Sequence, residues 1–436
     1  MQMPWKDDIT RRTLLRLGLT SAALAAVPWP TFRRALADPV NPHLFCVFYA
    51  DGGWDVTQVL DPHDPADTTD NIDVDVAQSI SGFPPSVLAT AGPITYCSNS
   101  TSRPMVDTFF QNWSGKSAVI NAIGTRSTSH DQSRQLVATG YLDPTRPDFA
   151  VMAAHHLGET LPLPHLLLSG PGFDGPYGGL TGRVGGQLGQ ALAYNTIISA
   201  QDGSTPQLAA SALGEAYIQQ ALEQQRLLDV NGVASAVTGK ISQFQDAQVR
   251  GDKLAHLARS LPQGTNQGMQ LATSLGNAFR QGLTTSVTVN QVGGFDTHSN
   301  NFDQDNDWND MFQFLNDFVT GLSTQPGMVS SSLLDETTIV YFSEFGRTPQ
   351  LNGNNGKDHH PWTSILVVGK GVAPGVYGLT DGNQEGVKTN FSTGKPDDTG
   401  MVIDVTNMVA GLVTLAGANA SDYLPNGVKP FTAMIA

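Results

Sequence analysis

Leu44-Phe45-Cys46-Val47-Phe48-Tyr49-Ala50, running into Asp51-Gly52-Gly53-Trp54-Asp55, decides how this chain is read. Seven apolar residues in unbroken succession describe a strand buried on both faces, as in a parallel sheet covered by helices. The glycine pair is the turn, and it leaves Asp51 and Asp55 at the strand's carboxyl end. Ser117 to Ile123 repeats the pattern and ends in Gly124. Leu166-Leu167-Leu168, Ser286-Val287-Thr288-Val289, Thr338-Ile339-Val340-Tyr341-Phe342 and Ile365-Leu366-Val367-Val368 add further strands. Asp404 to Ala416 has the spacing of one closing amphipathic helix. Gln207 to Gly282 is rich in Ala, Leu and Gln with apolar steps of three and four, which predicts a helical insertion over 207–282. Strands separated by helices predict an α/β fold: a doubly wound, mostly parallel sheet flanked by helices.

The composition sets limits. The chain has 436 residues, 40% of them hydrophobic, enough for a large core. Its 45 glycines and 26 prolines imply many loops but follow no period. A net charge of −15 argues against nucleic acid or anionic membranes as partners, since both demand a basic face. Two cysteines cannot build a disulfide framework or a thiolate zinc cluster. Cys46, inside the first strand, reads as a buried thiol, though an oxidising compartment leaves pairing with Cys97 open.

The N-terminus reads as an export signal. Thr10-Arg11-Arg12-Thr13-Leu14-Leu15 is a twin-arginine pair leading into the short apolar run Leu17 to Val27, and Ala35-Leu36-Ala37 is a small-x-small cleavage site. The run is shorter than the roughly 20 residues that span a bilayer. The expected organisation is a signal over 1–37 and one domain over 38–436, delivered to the periplasm or secreted. Twin-arginine export carries folded proteins, often with a cofactor already inserted, which suits a metal.

Ligands of open parallel sheets bind beyond the carboxyl ends of the strands, and four polar clusters lie there. They are Asp51 with Asp55; Ser127-Thr128-Ser129-His130-Asp131; Gly293-Gly294-Phe295-Asp296-Thr297-His298; and Ser343-Glu344-Phe345-Gly346-Arg347 with Asp358-His359-His360. Carboxylates and imidazoles are the ligand set of divalent cations such as zinc, calcium or manganese. A hydroxyl at a helix start, as at Ser129, is favoured as an anion by the helix N–H groups. Together they predict metal-assisted transfer of phosphoryl or sulfuryl groups from a small anionic ester. Plainer roles compete: Ser129 is also an ordinary N-cap, and His155 and His156 sit on a helical stretch as packing or surface residues. Asp303, Asp305 and Asp307 begin like a calcium loop, but Trp308 stands where glycine is required and Phe314 where glutamate is required.

Val292-Gly293-Gly294-Phe295-Asp296-Thr297-His298-Ser299-Asn300, Ser343-Glu344-Phe345-Gly346-Arg347-Thr348-Pro349 and Asn352-Gly353-Asn354-Asn355-Gly356-Lys357-Asp358-His359-His360-Pro361 resemble the twin-arginine-exported, sulfatase-like family known as domain of unknown function 1501. The resemblance runs from about Pro42 to Leu424 and implies an alkaline-phosphatase-like fold. It makes Asp51 or Asp55, Asp296, His298, Glu344, Asp358 and His359 or His360 the implied metal ligands. Phe345 stands where the superfamily places a histidine. The superfamily's nucleophile interval lands on His130, so Ser129 is the implied nucleophile, with His130 as ligand or general base and Arg347 as a fork for substrate oxygens. Three functions fit: an exported metal-dependent hydrolase of phosphate or sulfate esters, a catalytically inactive sulfatase-like binding protein, and a cell-envelope assembly protein partnered with another exported protein.

Overall fold

The computed structural model describes residues 41–74, 85–183 and 268–436, with the backbone of 197–198 and 207–208. The export signal and most of the helical insertion fall outside the described residues.

Strand β1 (Leu44–Ala50) is buried at all seven positions, as its unbroken apolar run requires. It lies near the middle of an eight-stranded mixed sheet with β4 (Ser117–Gly124), β5 (His165–Leu167), β6 (Thr181–Arg183), β7 (Ser286–Val292), β8 (Thr337–Ser343), β11 (Trp362–Gly369) and β12 (Gly375–Tyr377). The order across the sheet is β12-β4-β11-β8-β1-β7-β5-β6. β1 pairs in parallel with both β8 and β7, whereas β11 runs antiparallel to both its neighbours, β8 and β4. Seven strands therefore point one way and one points back. A hairpin, β2 (Val87–Ala91) with β3 (Ile94–Ser98), stands apart from this sheet.

Helices cover both faces. Phe45, Val47 and Tyr49 of β1 pack into a core shared with α3 (Phe149–Gly158) and α6 (Val405–Leu415). Phe48, pointing the other way, meets Phe314 and Phe318 of α5 (Gln304–Ser323) edge-on at 5.2 and 5.0 Å. α1 (Pro104–Trp113) and α4 (Gly268–Arg280) lie against α5 on that side. The period of two along β1 thus feeds two cores, and each ring that leaves water contributes about 1.5–3 kcal/mol. α6 begins with a capping box in which Asp404 accepts from Thr406 and Asn407. The Asp303-Asp305-Asp307 run opens α5, and Asp305 is buried against Arg103. Cys46 and Cys97 are both buried and are not joined to each other by a disulfide.

The fold corrects the sequence reading in places. β6, β12 and the β2–β3 hairpin are too short or too exposed to leave an apolar run. The predicted insertion is helical at α4, but Gln207–Leu208 pairs as strand with Ile197–Ile198. On the loop after β1, His63 lies between Asp70 at 3.0 Å and Asp61 at 3.6 Å, and bonds Thr380 at 2.8 Å. That contact ties residues 61–70 to the segment following β12.

Candidate metal centre at the sheet rim

The carboxyl ends of β1, β4, β7 and β8 open on one rim, and each delivers its polar cluster there. β1 turns through Gly52 and Gly53, with φ of 118° and 80°. A side chain at Gly52 would put its Cβ 2.5 Å from the Asp296 backbone nitrogen, so glycine is what lets this turn pass close under the β7 loop. His130 opens α2 (His130–Thr139) after β4. His359 sits on a two-stranded ribbon in which β9 (Gly346–Arg347) pairs with β10 (His359–His360), Arg347 opposite His359.

Three imidazoles are held in one sense. His359 Nδ1 lies 2.7 Å from the Thr128 carbonyl, which can only accept, so Nδ1 carries the proton. His130 Nδ1 donates to Glu344 Oε1 at 2.9 Å, and His298 Nδ1 donates to Asp358 Oδ1 at 2.9 Å. In the neutral ring this orientation leaves the lone pair on Nε2, and all three Nε2 atoms converge on Asp296. His359 is 3.1 Å and His298 3.2 Å from Oδ1, while His130 is 3.4 Å from Oδ2. His298 and His359 face each other Nε2 to Nε2 at 3.0 Å. Ligand atoms of His130, Asp296 and His359 lie within 4.8 Å of one another. With the rings neutral, three lone pairs and a carboxylate repel one another unless a metal ion or a proton joins them.

The charge around the cluster has the same sense. Asp51, Asp296, Glu344 and Asp358 surround it against Arg134 and Arg347, leaving two negative charges. Partial burial pushes the Asp296 carboxyl up, but the Arg347 guanidinium at 2.7 Å outweighs it and holds the group at about 2. Asp296 is therefore ionised at any physiological pH. Phe345, fully buried, forms an apolar floor, its ring 4.3 Å from His359 and 5.0 Å from His130.

The sequence candidates separate accordingly. Asp296, His298, His130 and His359 meet. Glu344 and Asp358 stand one shell out, orienting His130 and His298; Glu344 is fully buried and also accepts from Tyr49 at 2.5 Å and from the Gly52 amide at 3.0 Å. Asp51 pairs instead with Arg134 at 2.5 Å. Asp55 is not at the cluster at all. Its carboxylate is buried against Lys357 at 2.8 Å and accepts from Asn301 and Thr57, because it caps the short helix Val56–Gln58 and pins the β9–β10 loop. His360 points away and bonds the Gln384 carbonyl at 3.1 Å, as neighbours on a strand face opposite ways. Arg347 is no substrate fork: fully buried, it spends its N–H groups on the carbonyls of Gly52, Gly53 and Lys357 and on Asp296. Ser129 is exposed at the rim, and its hydroxyl does not cap α2.

Sequence reasoning missed Arg134, Tyr49 and Lys357. Arg134 was within reach, since it follows His130 by four residues and so shares its helix face. Lys357 and Asp55 carry no mutual pattern across 302 positions of chain.

Comparisons add the lineage. The crystal structure of Ps i-CgsB in complex with k-i-k-neocarrahexaose aligns over 87% of this chain and 73% of that one, at 10% identity and a TM-score of 0.35, a likeness too slight to bear on fold or chemistry. No curated protein matches. A family model described as "Protein of unknown function (DUF1501)" matches residues 43–395, about four-fifths of the chain, and the protein therefore belongs to the DUF1501 family.

Proposed function

We propose that His130, Asp296, His298 and His359 hold a divalent metal ion and that the protein is an exported, metal-dependent hydrolase of phosphate or sulfate esters. The observation that carries this reading is the convergence of three imidazole lone pairs on Asp296, each ring oriented by a bond from its far nitrogen. That is how metal-binding histidines are usually held. Neighbouring ligands of a tetrahedral zinc are about 3.3 Å apart given bonds of about 2.0–2.1 Å. The contacts among Asp296 Oδ1, His298 and His359, at 3.0–3.2 Å, are near that spacing, and His130 approaches the other carboxylate oxygen at 3.4 Å. Three nitrogens and one carboxylate favour a borderline cation such as zinc over calcium, which takes an all-oxygen shell.

When bound, such an ion supplies Lewis-acid polarisation of the ester oxygen. The protein's own groups do the rest. Arg347 fixes Asp296, Glu344 and the Thr128 carbonyl fix His130 and His359, and Phe345 excludes water beneath them. Asp358 fixes His298, which is half-exposed. Ser129 offers a hydroxyl at the rim as nucleophile, taking the phosphoryl or sulfuryl group as the alcohol leaves with its proton, after which water cleaves the seryl ester; otherwise water adds directly across the ester bond, with the same products, the alcohol and free phosphate or sulfate. The alkaline-phosphatase-like fold and twin-arginine delivery to the periplasm belong to this same reading.

Elemental analysis of the purified mature chain tests it, followed by a panel of phosphate and sulfate esters. The expected result is one metal ion per chain, lost in Asp296→Ala, with turnover that falls at least a hundredfold in His298→Ala. A metal-free wild type, or equal rates in wild type and His298→Ala, overturns it. A second reading, an inactive binding protein, is favoured by Phe345: a buried ring stands where the resemblance expects a histidine ligand. A bound metal with no turnover across the panel selects it.

A further inference from the structure

Asp51 and Glu344 follow strands whose register pairs Ala50 with Ser343, so two carboxylates leave the sheet from adjacent positions at the rim. Like charges so placed repel unless a cation offsets them or one takes a proton. Arg134 is the cation beside them. Its guanidinium lies 2.5 Å from Asp51 Oδ1 and 3.9 Å from Glu344 Oε1, and its Nε donates to the Tyr49 hydroxyl at 3.2 Å. One helical turn back on the same face is His130, whose Nε2 belongs to the metal cluster. A permanent cation thus sits one helical turn from a candidate metal ligand.

The two arginines differ in what they leave free. Arg347 is fully buried with its donors committed to protein groups. Arg134 keeps 30% of its side chain exposed, and its Asp51 partner is 37% exposed. Beyond Asp51 and Tyr49, its neighbours among the described residues include Glu344 at 3.9 Å and Asp131 at 3.6 Å; the Asp131 side chain is 96% exposed, a solvated pairing that holds little. A guanidinium has five donors in a planar fork suited to the oxygens of a tetrahedral oxyanion.

We infer that the centre takes a single metal ion, that Arg134 stands as its second cation, and that Arg134 receives the phosphate or sulfate oxygens in competition with Asp51. This rests on the metal reading above and assigns the substrate-recognising group within it.

The test uses the mature chain loaded with zinc, with inorganic phosphate and inorganic sulfate as titrants in calorimetry. Wild type binds one zinc and binds at least one of the two anions. Arg134→Met keeps the zinc and weakens anion binding at least tenfold, and Arg134→Lys restores part of it. Asp51→Asn removes the competitor and tightens anion binding a few-fold. Those opposite signs are not expected of a merely structural ion pair. Two zinc ions per wild-type chain, anion binding unmoved by Arg134→Met, or weaker binding in Asp51→Asn overturns the assignment of Arg134 and leaves the metal reading standing. Absence of zinc from wild type overturns both.

Discussion

Removing the charge of Asp55 tests the division of labour at the rim most sharply. Asp55 and Lys357 are both fully buried, with Oδ2 and Nζ 2.8 Å apart. At an effective dielectric of about 20, that separation gives a gross attraction of about 6 kcal/mol, much of it offset by the desolvation of both groups. Asp55→Asn removes the charge opposite the ammonium and leaves it a neutral amide oxygen and the Thr57 hydroxyl at 3.3 Å. Breaking a buried pair in this way costs about 3–5 kcal/mol. Replacing both partners, as in Asp55→Asn with Lys357→Met, removes the stranded charge and is expected to recover most of that loss. Guanidinium unfolding followed by tryptophan fluorescence is the assay, and the neighbouring Trp54, stacked on Trp308 at 5.1 Å, is the reporter. Zinc stoichiometry is measured on the same samples and should stay at one. The reasoning is refuted if Asp55→Asn loses its metal while its unfolding midpoint stays put, or if the double variant is no more stable than Asp55→Asn alone.

Other expectations follow from the same geometry. Glu344→Gln loses the charged acceptor that orients His130 and should weaken zinc binding about 10–100-fold in a competition titration with a chromophoric chelator. Phe48→Ala opens a cavity against α5 and should cost about 3–5 kcal/mol in the same unfolding assay, without changing zinc affinity. Burial lowers the pKa of His63, but Asp61 and Asp70 outweigh it and lift it to about 9, above the usual 6.5. Its protonated form therefore stabilises the fold fully below about pH 6.5 and loses that contribution, on the order of 3 kcal/mol, as pH rises through about 9. Unfolding midpoints at pH 6 and pH 9.5 should differ less in His63→Gln than in wild type; an unchanged difference would remove His63 from the account. A reporter fused after Ala37 should fail to reach the periplasm when Arg11 and Arg12 become Lys.

The parallel core was legible because burial on two faces forces an unbroken apolar run, as in β1 and β8. β11 was legible as a strand, but its reversed direction was not, since apolar content carries no polarity. At the site, residue chemistry drew attention to Asp296, His298, His130 and His359, and chain geometry brings them together. The same chemistry could not separate Asp55 and His360 from them, because a carboxylate paired with a buried lysine and one facing a metal look alike in a string of letters. Arg347 misled for a related reason: the guanidinium that suits a substrate oxyanion also suits the carbonyls of a tight turn. Those distinctions arise from contacts across 24 to 302 positions, which only the folded chain defines.

The reversed strand has one last effect. Because β8 and β11 are neighbours of opposite direction, the eighteen residues from Glu344 to Pro361 leave and rejoin the sheet at the same end. Had β11 run with the other seven, the chain would have had to travel the length of the sheet before re-entering, and His359 would have surfaced at the far pole. A single inverted neighbour thus turns what would be a crossover into a long hairpin, and confines Glu344, Arg347, Asp358 and His359 to one excursion able to wrap a single point.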